Sequence, residues 1–225
     1  MLGLKRYLRR EDIQRLYTVD LVCHGVPSPL IWKEYLRLVL HGKGIRSVSF
    51  RDKSRSWHHS ELRIEGEDGF VLSENHGANP YSLLFFGHYT LRPCCSVCPF
   101  SNMSRVGDIT LGDFWGIENV RPDLDDDKGI SLLLVNSEKG KRLLSGISPF
   151  LDVYPSDAES CLQPNLRCPS APAADRDVFW AVYRRFGLKR AMYIYGGSSG
   201  YVLRLLKKVI KKTVEVPGND TNRQS

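Results

Sequence analysis

Between Pro93 and Pro99 the chain reads Cys94-Cys95-Ser96-Val97-Cys98, and no regular element can run through it. Pro99 lacks the amide that a helix interior or a central strand needs. The polar stretch after Cys98 has no helical period. The segment is therefore a loop carrying three thiols. In a C-x-x-C pair two thiolates reach one soft metal centre from a single turn, and here that pair is Cys95 and Cys98. Neighbouring residues point different ways in an extended chain, so Cys94 and Cys95 do not serve the same ion, and the commoner spacing selects Cys95. A redox dithiol of the thioredoxin kind needs its first cysteine at a helix start, where the thiol pKa falls; no such start is visible. A zinc site needs two more ligands, from Cys23 and one of His24, His58, His59 or His88, at no recognisable spacing. Cys161 and Cys168 read as buried or idle thiols.

Six cysteines in a chain of 225 residues with no apolar leader point to reduced thiols or metal ligands rather than disulfides. The start is basic (Lys5, Arg6, Arg9, Arg10), unlike a secretory signal. The longest apolar runs, such as Leu132–Val135, fall far short of the roughly 20 residues that cross a bilayer. A cytoplasmic protein is expected. An apolar share of 42% and a charged share of 25% suit a globular chain with a real core. The net charge of +7 suits an anionic partner without choosing among a flavin phosphate, a nucleic acid, an acidic protein and a membrane surface.

The expected fold is mixed α/β, a central sheet with flanking helices and the irregular cysteine-bearing loop. Residues 1–15 read as a short basic helix. Tyr17 to Cys23 is a β-branched run, hence a strand, broken by His24-Gly25-Val26-Pro27. Ser28 and Pro29 open a helix through Val39, so Cys23 lies at a strand's C-terminal end just before a helix, where open α/β sheets bind ligands. Strands follow at residues 47–50, 62–64 and 70–72, the last two joined by the turn Glu67-Asp68-Gly69. A helix is predicted over 80–89 and a strand over 108–111. The Gly-bounded loop 112–116 precedes a strand over 130–135. Ser137 caps a helix to about residue 144, and residues 175–186 are helical. Residues 201–212 read as a basic amphipathic helix, with docking on its own domain favoured over membrane contact; residues 217–225 read as a disordered tail. The expected divisions are 1–15, 16–190, 191–216 and 217–225. No basic-aromatic platform or motif supports nucleic-acid binding.

Other residues admit two readings. Glycines beside Asp113 and Trp115 permit close approach of a cofactor, and Trp115 can stack on a ring; the alternative is a tight turn with a core tryptophan. Arg51 and Lys53 can hold a phosphate or carboxylate, or Arg51 can pair with a nearby acid. Lys128 follows three aspartates and can touch a cofactor or be a solvated loop charge. His24 can hydrogen-bond to sulfur or be a satisfied turn histidine.

Five segments, in order, resemble the coenzyme F420 hydrogenase/dehydrogenase beta-subunit family in its C-terminal domain. They are Asp20-Leu21-Val22-Cys23-His24-Gly25-Val26-Pro27-Ser28-Pro29; Phe50-Arg51-Asp52-Lys53 with Trp57; Arg92-Pro93-Cys94-Cys95-Ser96-Val97-Cys98; Gly107 through Gly116; and Asp126-Asp127-Lys128-Gly129-Ile130-Ser131. The resemblance spans about residues 15 to 185. It implies an iron–sulfur flavoprotein that passes electrons between a 4Fe-4S cluster and FAD, with Cys23, Cys95 and Cys98 as cluster ligands. The acceptor it implies is a small molecule, the donor a ferredoxin or a partner redox subunit. Relatives outside methanogens are linked to other substrates or to surface-polysaccharide genes. The family's further cysteine lies in a Gly-Thr-Pro-Cys motif upstream of the matched part, so a truncated product, half of a split protein with a separately encoded N-terminal half, and a degenerate member stay open, with Cys94 or an exogenous ligand as a substitute fourth ligand. A chain working without it is expected to be a non-catalytic metal-binding or interaction subunit.

Overall fold

In the computed structural model, which describes residues 1–197, short helices alternate with short strands. The first half runs α1 (Leu2–Tyr7), α2 (Arg10–Arg15), β1 (Val19–Leu21), α3 (Pro29–Leu40), β2 (Ile45–Asp52), β3 (Glu61–Gly66), β4 (Val71–Asn75) and α4 (Pro80–Phe86). The second half runs β5 (Ile109–Asp113), α5 (Ile117–Val120), β6 (Ser131–Val135), α6 (Glu138–Ile147), α7 (Pro164–Arg167) and α8 (Arg176–Tyr195). The helix and tail expected over 201–212 and 217–225 lie outside the described residues. No described helix is long and apolar enough to cross a membrane.

The mixed α/β class is observed, and the described strands divide between two three-stranded sheets, one in each of two compact units. One unit comprises Met1–Val26, Ser56–His58 and Pro93–Ser170. In it β1 runs parallel to β5, with Asp20 beside Thr110, and β5 pairs antiparallel with β6. Its core gathers Phe114, Ile117, Leu132, Cys161 and Leu166. The Ser137 side chain caps α6 by accepting from the Gly140 amide at 3.1 Å. Gly140 has to be glycine: a Cβ there would stand 2.1 Å from the Asp108 carbonyl oxygen, so its absence lets α6 close on the start of β5.

The other unit comprises Pro27–Arg55, His59–Arg92 and Ala171 onward. Its sheet is an antiparallel meander in the order β2-β3-β4. The central strand alternates: Leu62 and Ile64 are fully buried, while Glu61, Arg63 and Glu65 between them are part-exposed. Gly69, at φ +87°, makes the turn into β4. Pro29 opens α3, which buries Ile31, Tyr35 and Leu40. These meet Leu84 of α4 and Phe179, Val182 and Leu188 of α8 in one core. Each such side chain contributes about 1.5–3 kcal/mol by leaving water.

Candidate functional site

The three thiols read from the sequence lie in one unit. β1 ends at Leu21, and the Val22 amide still donates to the Leu111 carbonyl at 2.8 Å, so the chain leaves the sheet just before Cys23. Cys23 is exposed. Three residues on, the Val26 amide donates to Cys95 Sγ at 3.3 Å. Cys95 lies in a 3-10 turn, Pro93–Val97, followed by Cys98; both are half-buried, and Cys94 is exposed. Thus residues 69 apart in sequence meet, and the segment carrying Cys23 abuts the C-x-x-C turn. All six cysteines are free thiols. Cys161 belongs to the core, where burial pushes its thiol above the ordinary value.

Side chains that the sequence did not single out tie these segments down. The Arg105 side chain is only 5% exposed. Its Nη2 donates to Asp20 Oδ1 and to the Leu21 carbonyl, each at 2.9 Å. Its Nη1 donates to the Phe100 carbonyl at 2.5 Å. Burial opposes ionisation of Asp20, but hydrogen bonds from Thr110, Arg105 and the Gly107 amide outweigh it and hold the carboxyl below its ordinary value. Ser101 Oγ donates to the carbonyls of Asn165 and Cys168 at 2.9 and 3.0 Å. Ser170 Oγ donates to the His24 carbonyl at 2.6 Å. The segments around Cys23, Cys98 and Cys168 are therefore cross-tied, which gives Cys168 a place beside the loop that its spacing did not signal.

A second feature of the same unit surrounds Trp115. Its ring stacks on Trp57, with centroids 5.0 Å apart at 30°. Trp57 is buried at 2% exposure, whereas Trp115 is 53% exposed. His58 Nε2 lies 2.9 and 3.0 Å from the two Asp125 oxygens. Asp127 Oδ1 accepts from Ser56 Oγ at 2.8 Å and from the amides of Trp57 and His58 at 3.0 Å. Those bonds, led by the His58 amide, hold the Asp127 carboxyl below its ordinary value. Asp113 ends β5, and its carbonyl accepts from Gln163 Nε2 at 3.0 Å. Lys128 pairs with Asp126 at 3.0 Å, both exposed. Arg51 and Lys53 fall in the other unit, at the end of β2 and just beyond it.

Among the described residues no group of three or more His, Cys, Asp or Glu side chains is arranged to hold a metal ion. A single zinc ion is bound by thiolates at about 2.3 Å. In an iron–sulfur cluster each cysteine binds its own iron, so the thiolates stand apart around a larger core. The thiols at hand are Cys23, which is exposed, and Cys95 and Cys98, which are half-buried, with the Val26 amide donating to Cys95 Sγ.

A family model for the C terminus of the beta subunit of coenzyme F420 hydrogenase/dehydrogenase matches residues 1–150. No curated protein matches the sequence. Among solved structures, a chain of the F420-reducing NiFe hydrogenase complex from Methanosarcina barkeri, studied by xenon derivatization, is similar at 16% identity and a TM-score of 0.35. The match covers 60% of this chain and 38% of that one.

Proposed function

The chain belongs to the coenzyme F420 hydrogenase/dehydrogenase beta-subunit family, in the part that forms the family's C terminus, and on that premise we propose that it is the electron-transfer portion of an oxidoreductase. Its family is one of oxidoreductase subunits. In this reading Cys23, Cys95 and Cys98 supply thiolates to a 4Fe-4S cluster, and the exposed face of Trp115 receives the ring of FAD, with Asp113 and Lys128 as further contacts. Arg51 and Lys53 are candidate anion contacts carried by the other unit. The cluster would pass single electrons and the flavin would convert them to pairs; that chemistry belongs to the groups themselves. The chain's own part is to present thiolates and orient the ring. A redox subunit or a small electron-carrier protein would be the donor, and a small molecule the acceptor.

The observation that carries the reading is the Val26 amide directed at Cys95 Sγ at 3.3 Å. Donors of this kind lower the cost of negative charge on a cluster's sulfurs and raise its potential. In this reading three cysteines serve the cluster, and the fourth ligand would come from another cysteine or from a partner. The stacked indoles support the flavin portion independently, because one ring is fixed by burial while the other is about half exposed.

Anaerobic purification with iron, sulfide and flavin analysis and a visible spectrum tests the proposal. Iron and sulfide in equal amounts are expected. Cys95→Ser and Cys98→Ser are each expected to lose most of that iron while remaining folded by circular dichroism. Full iron in both variants would defeat the ligand assignment. Zinc without sulfide would replace the redox reading with that of a metal-stabilised interaction protein.

A further inference from the structure

We infer that Arg105 is a positioning residue, holding the backbone just before Cys23 and the backbone just after Cys98 in one fixed relation so that the two thiols are presented together. Its purpose rests on the iron–sulfur reading above, whereas its geometry does not. On one side the guanidinium reaches Asp20 Oδ1 through Nε at 3.2 Å and Nη2 at 2.9 Å, and the Leu21 carbonyl through Nη2 at 2.9 Å. On the other, Nη1 reaches the Phe100 carbonyl at 2.5 Å and the Asn102 carbonyl at 3.5 Å. Leu21 lies two residues before Cys23, and Phe100 lies two residues after Cys98.

The clamp is referenced to the sheet. Asp20 is fixed by Thr110 Oγ1 at 2.5 Å and by the Gly107 amide at 2.9 Å, and Nε also reaches Thr110 Oγ1 at 3.3 Å. A segment such as 99–104, which forms no helix or strand, has no ladder of its own to hold it, so the guanidinium supplies its anchor. Stabilisation alone does not ask for this arrangement. A buried ion pair recovers little more than its desolvation penalty, and apolar residues often replace one without loss. Stability also makes no demand that main-chain carbonyls from these two segments share one cation. Only a planar fork with several donors can bind both sides; a lysine ammonium is a point charge that satisfies Asp20 and lets one side go. Ser170, by donating to the His24 carbonyl at 2.6 Å, provides a second strap on the far side of Cys23.

The test uses the full chain and its Arg105→Lys and Arg105→Gln variants. In the metal-free proteins, amide hydrogen exchange read by mass spectrometry is expected to quicken about tenfold in residues 21–26 and 98–104 together, with β5 and β6 amides unchanged. After anaerobic reconstitution with iron and sulfide, iron per folded chain is expected to fall by more than half in both variants. Lysine is the deciding substitution, because it keeps the charge opposite Asp20 and therefore the fold even if glutamine does not. Wild-type exchange in Arg105→Lys, or full iron loading despite loosened segments, overturns the inference. A wild-type chain that takes up no iron sinks the cluster reading and the purpose given to the clamp. The coupled exchange then separately upholds or refutes the clamp itself.

Discussion

A carboxylate 3% exposed to solvent survives at Asp108 because its partners converge. Thr18 donates through its amide at 2.9 Å and its hydroxyl at 2.7 Å, Ser137 Oγ donates at 2.7 Å, and Lys139 stands 3.6 Å away. Burial pushes the carboxyl up; the hydrogen bonds from Ser137 and Thr18 more than reverse this and hold it at about 2, below the ordinary 3.8. Since the folded value lies below the unfolded one, the stabilisation is complete above the unfolded value and disappears as pH falls from there through about 2. The difference in pKa corresponds to about 2 kcal/mol. Urea unfolding of Asp108→Asn is expected to show a loss of about that size at pH 7 and a correspondingly weaker decline toward pH 2.5; a variant whose acid dependence matches the wild type would assign the acid sensitivity elsewhere. Thiols could be read from sequence because their chemistry is local to the side chain. Arg105 could not, and His58 was read only as a possible zinc ligand, because the partners that give them meaning, Asp20 and Asp125, lie 85 and 67 residues away.

Elements were legible where their signals are local. Pro29 starts α3, Ser137 caps α6, and Glu67-Asp68-Gly69 turns between β3 and β4, each as the residue types demand. Lengths were not, because partners set them. The β-branched run of residues 17–23 forms ladder only over Val19–Leu21, the stretch that pairs with β5. The helix expected to end at residue 186 does break at Gly187, with φ 76° and ψ 174°, and then resumes to Tyr195. Burial of Leu188, Ala191 and Ile194 explains the resumption better than propensity does. The loop between α5 and β6 carries a similar lesson. Gly129 sits at φ +89°, and a Cβ there would stand 2.3 Å from Trp57 Nε1. Gly129→Ala is therefore strained in backbone and overpacked at once. A loss of about 2–4 kcal/mol is expected from the two effects together. The Trp57–Trp115 stack is expected to open, read as a shift in tryptophan fluorescence and weaker flavin retention. An unaltered spectrum with wild-type stability would show that the loop yields freely and that the indole pair does not depend on it.

At the scale of the molecule, the expected central sheet is two sheets, because composition marks a strand without saying which strand lies beside it. The same non-locality makes each unit discontinuous in sequence. Pro93–Ser170 holds most of the cysteine-bearing unit, yet it lacks β1 and everything β1 carries. Cut out alone, it would leave β5 as an unpaired edge beside β6. Arg105 would lose Asp20, and Asp108 would lose Thr18 while both stayed in the interior. Stranding one partner of a buried ion pair costs about 3–5 kcal/mol, and a whole domain is stable by only about 5–15 kcal/mol. The isolated fragment is therefore expected not to fold, giving collapsed amide dispersion by NMR and no cooperative melt. A peptide of residues 1–26 added in trans is expected to restore part of that dispersion, since it returns β1, Thr18 and Asp20 together. Cooperative unfolding of the fragment without the peptide would mean that the parallel β1–β5 pairing is dispensable, and with it the frame on which Cys23 meets the C-x-x-C turn.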